Sequence, residues 1–301
     1  MIISQLALII DNDERYADDF SGILGSWVRY LEKNSINYVV AYPDSELIPA
    51  LLDIRVDAVL LLMNETSMAS GKIQGLLEIM DIPCLTPVTG ASNWLSSRVN
   101  LKDFLGVNNL SHLPSVTVSH GDSLPENMIP CIVKPEYGSL EKGVTRVEKS
   151  SELSMAVEEA LKWSSRAVIE RFEAGTTVTC GIYNGEVLGI AEITPTDEGT
   201  RLTIPPEMNL SRISSLKATA AGLVNRAQVK GMVTVDFICT PDGRDFVIDL
   251  NSFPILDASG VFSRIALSAG IRHEDLLATV LSSGQSTARR SSVQSLPDIT
   301  F

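Results

Sequence analysis

Short apolar runs alternate with helical repeats at the start of the chain. Ile2–Ile10 is a continuous apolar run of strand length, and from Tyr16 to Leu31 apolar residues recur at helical spacing. Strands that alternate with helices indicate a parallel sheet with crossover helices. We therefore predict a small Rossmann-like domain over residues 1–90. Its further elements are strands at Tyr38–Ala41, Ala58–Leu62 and Ile82–Leu85 and helices at Glu46–Asp53 and Gly71–Met80.

Hairpin patterns dominate the rest of the chain. A strand at Cys131–Lys134 precedes a second at Val144–Val147 across a glycine-containing loop. Two more strand pairs surround Asn184-Gly185 and Asp242-Gly243, which favour tight hairpin turns. The other predicted elements are helices at Arg98–Leu105, Ser151–Trp163 (capped by Ser150 or Ser151), Ser211–Gln228 and Glu274–Leu281, and a strand at Ala167–Phe172. Residues 286–301 are Ser-rich without apolar periodicity, which predicts a flexible tail.

Composition excludes several classes of protein. The chain has 301 residues, 45% of them apolar, and a formal net charge of −13, which argues against a nucleic-acid surface. The apolar N-terminal run is too short to span a membrane and lacks a basic flank, so neither a membrane partner nor a signal peptide is expected. Four widely spaced cysteines inside apolar runs predict reduced thiols and hence a cytoplasmic location.

Acidic and amide side chains end the two strands of the last hairpin. Asp249 and Asn251 are two residues apart, so they share one face of their strand. Asp236 joins them if the two strands pair. Two carboxylates and a carboxamide suit Mg²⁺ better than zinc. These residues alone are equally compatible with ordinary polar strand ends.

Two lysines accompany the glycine-containing loop, in spite of the acidic balance of the chain. A magnesium site with few protein ligands completes its coordination with substrate phosphates. Lys134 at the strand end and the loop Glu136–Gly143, which carries Lys142, would supply positive charge and backbone amides to such phosphates. The loop alone also fits a plain hairpin with Lys142 in solvent. Together with the acidic cluster, it predicts a phosphate and magnesium site.

Longer stretches of the chain resemble the ATP-grasp enzymes, and among them the D-alanine–D-alanine ligase family. The segment "SRVNLKDFL" resembles the family's Asp-Lys-x-x-x-Lys helix, with Arg98 and Lys102 at the two lysine positions. "IVKPEYGSLEKGV" resembles its glycine loop, "VIERFEAG" its hinge strand, and "GMVTVDF" and "DLNSFP" its magnesium strands. The resemblance covers nearly the whole chain. It implies an α/β protein with an ATP-grasp fold, in which two α+β lobes at residues 91–174 and 175–285 clasp ATP.

The resemblance also implies roles for individual residues. Lys102 and Lys134 would hold the ATP phosphates, and Glu170 would face the adenine amino group. Glu14 would orient the first amino acid, and Ser139 would lie near the substrate. The implied nucleotide-binding residues are Lys102, Lys134, Lys142, Glu170, Arg171, Phe172 and Glu173; the implied ligands of Mg²⁺ (or Mn²⁺) are Asp236, Asp249 and Asn251; the implied catalytic residues are Glu14, Ser139 and Arg201.

Departures from the family pattern fall on the amino-acid side of the site. Thr177 stands at the position of a ribose-binding glutamate, Thr234 at that of an arginine that steadies the tetrahedral intermediate, and Gly260 at that of a serine that holds the substrate carboxylate. The stretch "AEITPTDEGTRLTIPPEMN" is too short for the family's loop over the active site, so Arg201 would supply charge there.

The function implied by the resemblance is that of an ATP-dependent carboxylate–amine ligase. The enzyme would join small-molecule carboxylates and amines, such as amino acids, through an acyl phosphate, and a homodimer is expected. Two alternatives remain open, because a fold does not decide a function. One is a nucleotide-binding regulator that has lost ligase activity, and the other is a phosphotransferase on the same fold.

Overall fold

The structure, a computed structural model, describes residues 3–11, 17–63, 71–85, 94–138, 142–196, 199–252, 254 and 256–287. The strands within these ranges form three sheets that follow one another along the chain. This order agrees with a small first domain and two later lobes. The boundaries of the three units stay predictions.

The first sheet is parallel, as predicted, with the strand order β2-β1-β3. Its elements are β1 (Gln5–Ile10), α1 (Ala17–Lys33), β2 (Asn37–Ala41), α2 (Leu47–Ile54), β3 (Ala58–Leu62) and α3 (Lys72–Ile79). All five residues of β3 are buried, since helices cover both faces of such a sheet. The strand predicted at Ile82–Leu85 is wrong: Cys84 makes an isolated bridge to Val59 there.

The second sheet is antiparallel, with the order β4-β7-β5-β6. Its elements are α4 (Arg98–Val107), β4 (Ser115–Val118), β5 (Cys131–Pro135), β6 (Thr145–Val147), α5 (Ser150–Leu161) and β7 (Ala167–Arg171). Strands β5 and β6 pair across the glycine loop, which we define as residues 136–143, and this confirms the predicted hairpin. The predicted cap of α5 is wrong, because Lys149 is the N-cap residue and the Glu152 carboxylate accepts from the amides of Glu148 and Lys149.

The third sheet is also antiparallel, with the order β10-β9-β8-β11-β12. Its elements are β8 (Thr176–Tyr183), β9 (Glu186–Thr196), β10 (Gly199–Thr203), α6 (Leu210–Arg226), β11 (Met232–Cys239) and β12 (Asp245–Asn251). Both predicted hairpins are confirmed, since β8 pairs with β9 and β11 pairs with β12. Helix α6 packs on this sheet, and together they enclose the largest apolar cluster.

The last two helices are α7 (Val261–Ser268) and α8 (His273–Thr287), and α8 returns to the first sheet. Leu277 and Leu281 of α8 lie in one apolar cluster with Leu6 and Trp27. Helix α8 continues to Thr287, so residues 286 and 287 of the predicted tail are helical, and residues 288–301 lie outside the described part of the chain. Within the described residues, no helix has the length and apolar character needed to cross a membrane.

Candidate active site

Two lysines and a glutamate form a buried charged triad in the second sheet. Lys134 on β5 places its Nζ atom 2.5 Å from Oε2 of Glu170 on β7, and Lys102 on α4 donates to Oε1 of the same carboxylate. Strands β5 and β7 are neighbours, with Ile132 opposite Glu170, so Lys134 and Glu170 lie diagonally on one face. Helix α4 lies over that face and brings Lys102 to the other oxygen.

Burial shapes the ionisation of this triad. Desolvation lowers the pKa of the Lys102 ammonium, and the Glu170 carboxylate only partly opposes this. Burial alone would raise the pKa of Glu170, but the two ammonium groups hold it below its usual value. Three charges with one surplus cation therefore lie inside the protein. Such an arrangement favours a further anionic partner, and phosphate is one that lysines commonly bind.

A pair of carboxylates, which we call the carboxylate pair, lies on the adjoining strands β11 and β12. Asp236 is directly opposite Asp249, and Thr234 is opposite Asn251, so all four side chains share one face of the sheet. The prediction that the hairpin unites Asp236, Asp249 and Asn251 is confirmed. The Thr179 hydroxyl on β8 donates to Oδ1 of Asp236 at 2.6 Å.

The protonation of Asp236 reflects its surroundings. Desolvation, reinforced by repulsion from Asp249, raises the pKa of Asp236 to about 7, although the Thr179 hydrogen bond opposes the shift. A cation bound by the carboxylate pair would remove that repulsion, so the donor set fits a divalent metal that prefers oxygen ligands. No group of three or more His, Cys, Asp or Glu side chains is placed to hold a metal among the residues that the structure describes.

Arg98, in the first turn of α4, connects the carboxylate pair to the glycine loop. Its Nε and Nη2 atoms lie 2.9 and 2.7 Å from Oδ2 of Asp249. Nη1 donates to the carbonyl of Pro135 at 2.8 Å, and Nη2 also donates to the carbonyl of Gly138 at 2.6 Å. The sequence placed Arg98 on a helix but gave no sign of these partners.

The start of the glycine loop is anchored by buried polar contacts. Ser97 caps α4 by accepting from the amide of Asn100, and its hydroxyl donates to Glu136 at 2.6 Å. Arg166 donates through Nε to the other Glu136 oxygen at 2.8 Å. The amide of Arg98 donates to the carbonyl of Glu136 at 3.0 Å, which joins the loop to the beginning of α4.

The end of the loop is held by close packing. Gly143 has φ +72°, and a Cβ added there would lie 2.6 Å from Cδ1 of Trp163. The Lys142 side chain beside it is half-buried, so the alternative of a fully solvated lysine is not what the structure has. Ser139 and Glu14, two of the predicted catalytic residues, lie outside the described residues.

The hinge segment Arg171–Glu173 joins the second sheet to the third. The amides of Arg171 and Phe172 donate to the carbonyls of Pro114 and Pro130, both at 2.9 Å. A bound adenine would therefore meet carbonyls of this segment, or the amide of Glu173, and not those two amides. Both oxygens of the Glu170 carboxylate face lysines, so its contact with an adenine amino group stays a prediction.

The three departures from the family pattern lie in well-defined places. Thr234 is buried beside Asn251 on β11, Thr177 is half-buried on β8, and Gly260 is the N-cap residue of α7. Arg201, predicted to supply charge, is exposed on the edge strand β10. Arg264 on α7 is exposed as well.

Sequence reasoning missed Thr179 and the partners of Arg98, and the two omissions differ in kind. Thr179 alternates with apolar residues in β8, so pairing of β8 with β11 would have placed it opposite Asp236. Arg98 and Asp249 are 151 residues apart, and no local pattern relates them.

Comparison with known proteins gives consistent results. Residues 118–282 match the family model described as "D-ala D-ala ligase C-terminus". The chain is 29% identical to a D-alanine–D-alanine ligase of Anaeromyxobacter sp. (strain Fw109-5) over 256 residues, which are 79% of this chain and 83% of that protein. It is also 29% identical to the D-alanine–D-alanine ligase of Aquifex aeolicus over 259 residues, covering 79% of this chain and 86% of that protein.

Solved structures agree in fold. The crystal structure of the D-alanine–D-alanine ligase from Bacillus anthracis complexed with ATP superposes with a TM-score of 0.81 at 21% identity, covering 95% of this chain and 98% of that one. A second crystal structure of the Bacillus anthracis ligase gives a TM-score of 0.83 at 20% identity, with coverage of 94% and 98%. The predicted fold class is confirmed.

Proposed function

The chain belongs to the D-alanine–D-alanine ligase family, and from that membership we propose that the site described above joins a carboxylate to an amine through an acyl phosphate. The observation that carries the proposal is the presence of two charged clusters, one on α4 and the second sheet and the other on the third sheet. The Lys102–Glu170–Lys134 triad offers surplus positive charge, and the carboxylate pair offers oxygen ligands. ATP with a divalent cation complements both.

The nucleotide step uses this chain's residues mainly for positioning and charge. Lys102 and Lys134 would hold the phosphates, while Asp236, Asp249 and Asn251 would hold Mg²⁺ or Mn²⁺. The metal, when bound, withdraws charge from the phosphate oxygens. A substrate carboxylate oxygen attacks the γ-phosphorus, the bond from that phosphorus to the β,γ-bridging oxygen breaks, and ADP leaves with the electron pair. Positioning and electrostatic stabilisation of this kind account for most of the catalysis of phosphoryl transfer.

The amide forms in a second step. The amine attacks the acyl carbon of the acyl phosphate, and the negative charge passes to the former carbonyl oxygen. The tetrahedral adduct collapses, the bond between carbon and the phosphate oxygen breaks, and phosphate leaves with the electron pair and takes up the proton that the amine nitrogen loses. Loss of one hydrogen-bond donor to such an oxyanion lowers rates by roughly 10²–10³. Thr234 offers a hydroxyl near this position in place of a cation, so a different group has to stabilise the oxyanion.

The second substrate is proposed to lack a free carboxylate. The buried cations described at the site have other partners: Lys102 and Lys134 share Glu170 and are assigned to the phosphates, and Arg98 binds Asp249. A substrate carboxylate beside Thr234 would have no cationic partner among them, and burying an unpaired charge costs several kcal/mol. An amide or a simple amine avoids that cost. At least one of the two joined molecules is therefore expected to differ from D-alanine.

A coupled ADP-release assay tests these proposals. The enzyme is supplied with ATP, Mg²⁺ and either D-alanine alone or D-alanine with D-alaninamide, and the product is identified by mass. We expect faster ADP release with the amide and a mass that corresponds to D-alanyl-D-alaninamide. Rapid formation of D-alanyl-D-alanine as the preferred product would overturn the proposal on the second substrate but leave the ligase intact.

The same assay separates the other functions. Tight ATP binding without ADP release across a panel of amino acids, singly and in pairs, would identify a regulator, and a stable phosphorylated product without an amide would identify a phosphotransferase.

Asn251→Ala is the variant that tests the metal set, since Asp249→Asn would also leave Arg98 without its carboxylate. Asn251→Ala is expected to abolish turnover with an unchanged far-UV circular dichroism spectrum. Full ADP release by this variant would refute the assignment of Asn251.

The remaining parts of the proposal concern location and assembly. We propose a cytoplasmic enzyme that acts on small molecules, because its four cysteines, all among the described residues, are thiols and its net charge is −13. A homodimer is proposed from the family resemblance, and sedimentation of the purified chain tests it.

A further inference from the structure

The Arg98 side chain is more deeply buried than its place in the first turn of α4 requires. A residue at this position needs only helical backbone angles, yet the Arg98 side chain is 2% exposed and donates at least four hydrogen bonds to described residues of three separate segments. A buried guanidinium is costly unless its N–H groups find acceptors. The acceptors here are the metal-site carboxylate Asp249, the carbonyl of Pro135 at the end of β5 and the carbonyl of Gly138 in the glycine loop. The contact therefore relates the metal site to the loop.

The charges of the buried site balance one another. Among the described residues there are four cations and four anions when Asp236 is ionised: Arg98, Lys102, Lys134 and the half-exposed Arg166 against Asp236, Asp249, Glu170 and Glu136. A site with no net charge attracts a lone divalent cation weakly, because the cation would leave an excess charge of +2 in a poorly solvated place. A divalent cation that arrives with the ATP tetra-anion brings its own counter-charge, because the phosphates bind it and the remaining negative charge faces Lys102 and Lys134. Without Arg98 the same site would carry one net negative charge.

We propose that Arg98 is a positioning residue that keeps a divalent cation from occupying the carboxylate pair on its own, and so makes cation binding depend on the nucleotide. This rests on the proposed function, which supplies the metal and the nucleotide. The guanidinium holds Oδ2 of Asp249 and neutralises its charge before any metal arrives. Its bonds to the carbonyls of Pro135 and Gly138 keep it there, so the effect is built into the glycine loop.

The size of the effect follows from Coulomb's law. Even at the dielectric constant of bulk water, a unit charge about 6 Å from a dication changes the binding of that dication about tenfold. A buried site is screened less, so tenfold is the lower limit. Arg98→Gln removes the charge while it keeps an amide that can donate to Asp249. We expect this variant to bind free Mn²⁺ at least about tenfold more tightly than the unmodified chain.

The test is a Mn²⁺ titration of the full chain followed by electron paramagnetic resonance, with and without a nonhydrolysable ATP analogue. Arg166→Gln is the matched control, because Arg166 pairs with the loop residue Glu136 and makes no contact with the carboxylate pair. It should leave the affinity for free Mn²⁺ unchanged. Arg98→Lys, which keeps the charge but not the fork, should also bind free Mn²⁺ weakly.

Two results would overturn the proposal. The first is an Arg98→Gln variant that binds free Mn²⁺ no more tightly than the unmodified chain or the Arg166→Gln control. The second result needs no variant, so it decides the question even if Arg98→Gln does not fold. It is the finding that unmodified protein binds free Mn²⁺ as tightly without the analogue as with it. The Asp236→Asn variant distinguishes a failure of the proposal for Arg98 from a failure of the proposed metal site. If Asp236→Asn leaves Mn²⁺ binding with the analogue intact, the metal assignment itself is wrong.

Discussion

Glu170→Gln removes the only anion of the buried triad with almost no change in size. Glu170 accepts from Lys102 at one oxygen and from Lys134 at the other, and its side chain is 2% exposed. A glutamine at this position can accept from one ammonium group but turns its own NH₂ group toward the second. At least one buried lysine then has no partner. We expect the free energy of unfolding to fall by about 3–5 kcal/mol at pH 7, the cost of breaking a buried ion pair from one side.

The loss should depend on pH in a way that identifies its cause. The pKa of Lys102 is already lowered by burial, and without Glu170 it falls further. Between the lowered pKa in the folded state and 10.5 in the unfolded state, the unfolded chain binds more protons, so the free energy of unfolding rises with pH. The deficit of Glu170→Gln should therefore shrink as the pH rises from the Lys102 pKa of the variant to that of the unmodified protein, because over that interval only the variant has released the proton in the folded state. In the unmodified protein, Glu170 stabilises the fold above its unfolded pKa near 4.5 and loses this contribution as the pH falls.

Urea denaturation at pH 7 and pH 9, with and without a nonhydrolysable ATP analogue, measures both effects. Glu136→Gln is a matched control, because Glu136 is buried to the same extent but pairs with Arg166, whose side chain is 41% exposed and does not titrate in this range. It should lose less stability and show no recovery at pH 9. The analogue should stabilise Glu170→Gln by more than the control if its phosphates replace the missing carboxylate. An equal deficit at both pH values in Glu170→Gln would refute the argument.

Three further outcomes are expected. Lys134→Ala should weaken nucleotide binding in a calorimetric titration far more than Lys142→Ala, because Lys134 is held on a strand and Lys142 lies on the loop; equal losses would contradict this. Asp236→Asn should raise the stability of the metal-free protein by a few kcal/mol above pH 7. Between about pH 4 and pH 7 the carboxyl group of the unfolded chain is ionised while the buried group stays protonated, so the folded state of the unmodified protein loses stability as the pH rises; a stability profile that matches the unmodified chain in EDTA would contradict it. Gly143→Ala should lower the thermal midpoint more than Gly121→Ala. Both glycines have positive φ, but only at residue 143 would an added Cβ lie 2.6 Å from the indole ring of Trp163; equal shifts would show that the ring moves aside.

The elements that sequence patterns predicted well are those with strong periodicity. The bounds of β3 agree residue for residue with the apolar run Ala58–Leu62, which is buried on both faces of the sheet. The edge strand β4, with the sequence SVTV, was missed because two of its four residues are exposed and it is too short for a pattern. Strand β10 was missed as well, and its first three residues are exposed.

The arrangement of the candidate site could also be predicted from the sequence only in part. Asp249 and Asn251 share a face because residues two apart in a strand always do, and this could be stated from the sequence. That Asp236 lies opposite Asp249 depended on the pairing of two strands, which the turn between them indicated. The triad joins one helix and two strands, and the Arg98 contact spans 151 residues, so both required the three-dimensional packing.

The first sheet is covered completely only after helix α8, near the end of the chain, has been synthesised. Leu277 and Leu281 complete the apolar cluster that contains Leu6, and Lys33 pairs with Glu274 at 2.8 Å across 241 residues of chain. While the protein is being made, the first sheet emerges from the ribosome long before the helix that covers it. Its apolar face stays open through the synthesis of both later lobes, which is a period of risk for aggregation. A ribosome-bound chain that stops before residue 273 should therefore bind a chaperone, and a chain that includes α8 should be released from it.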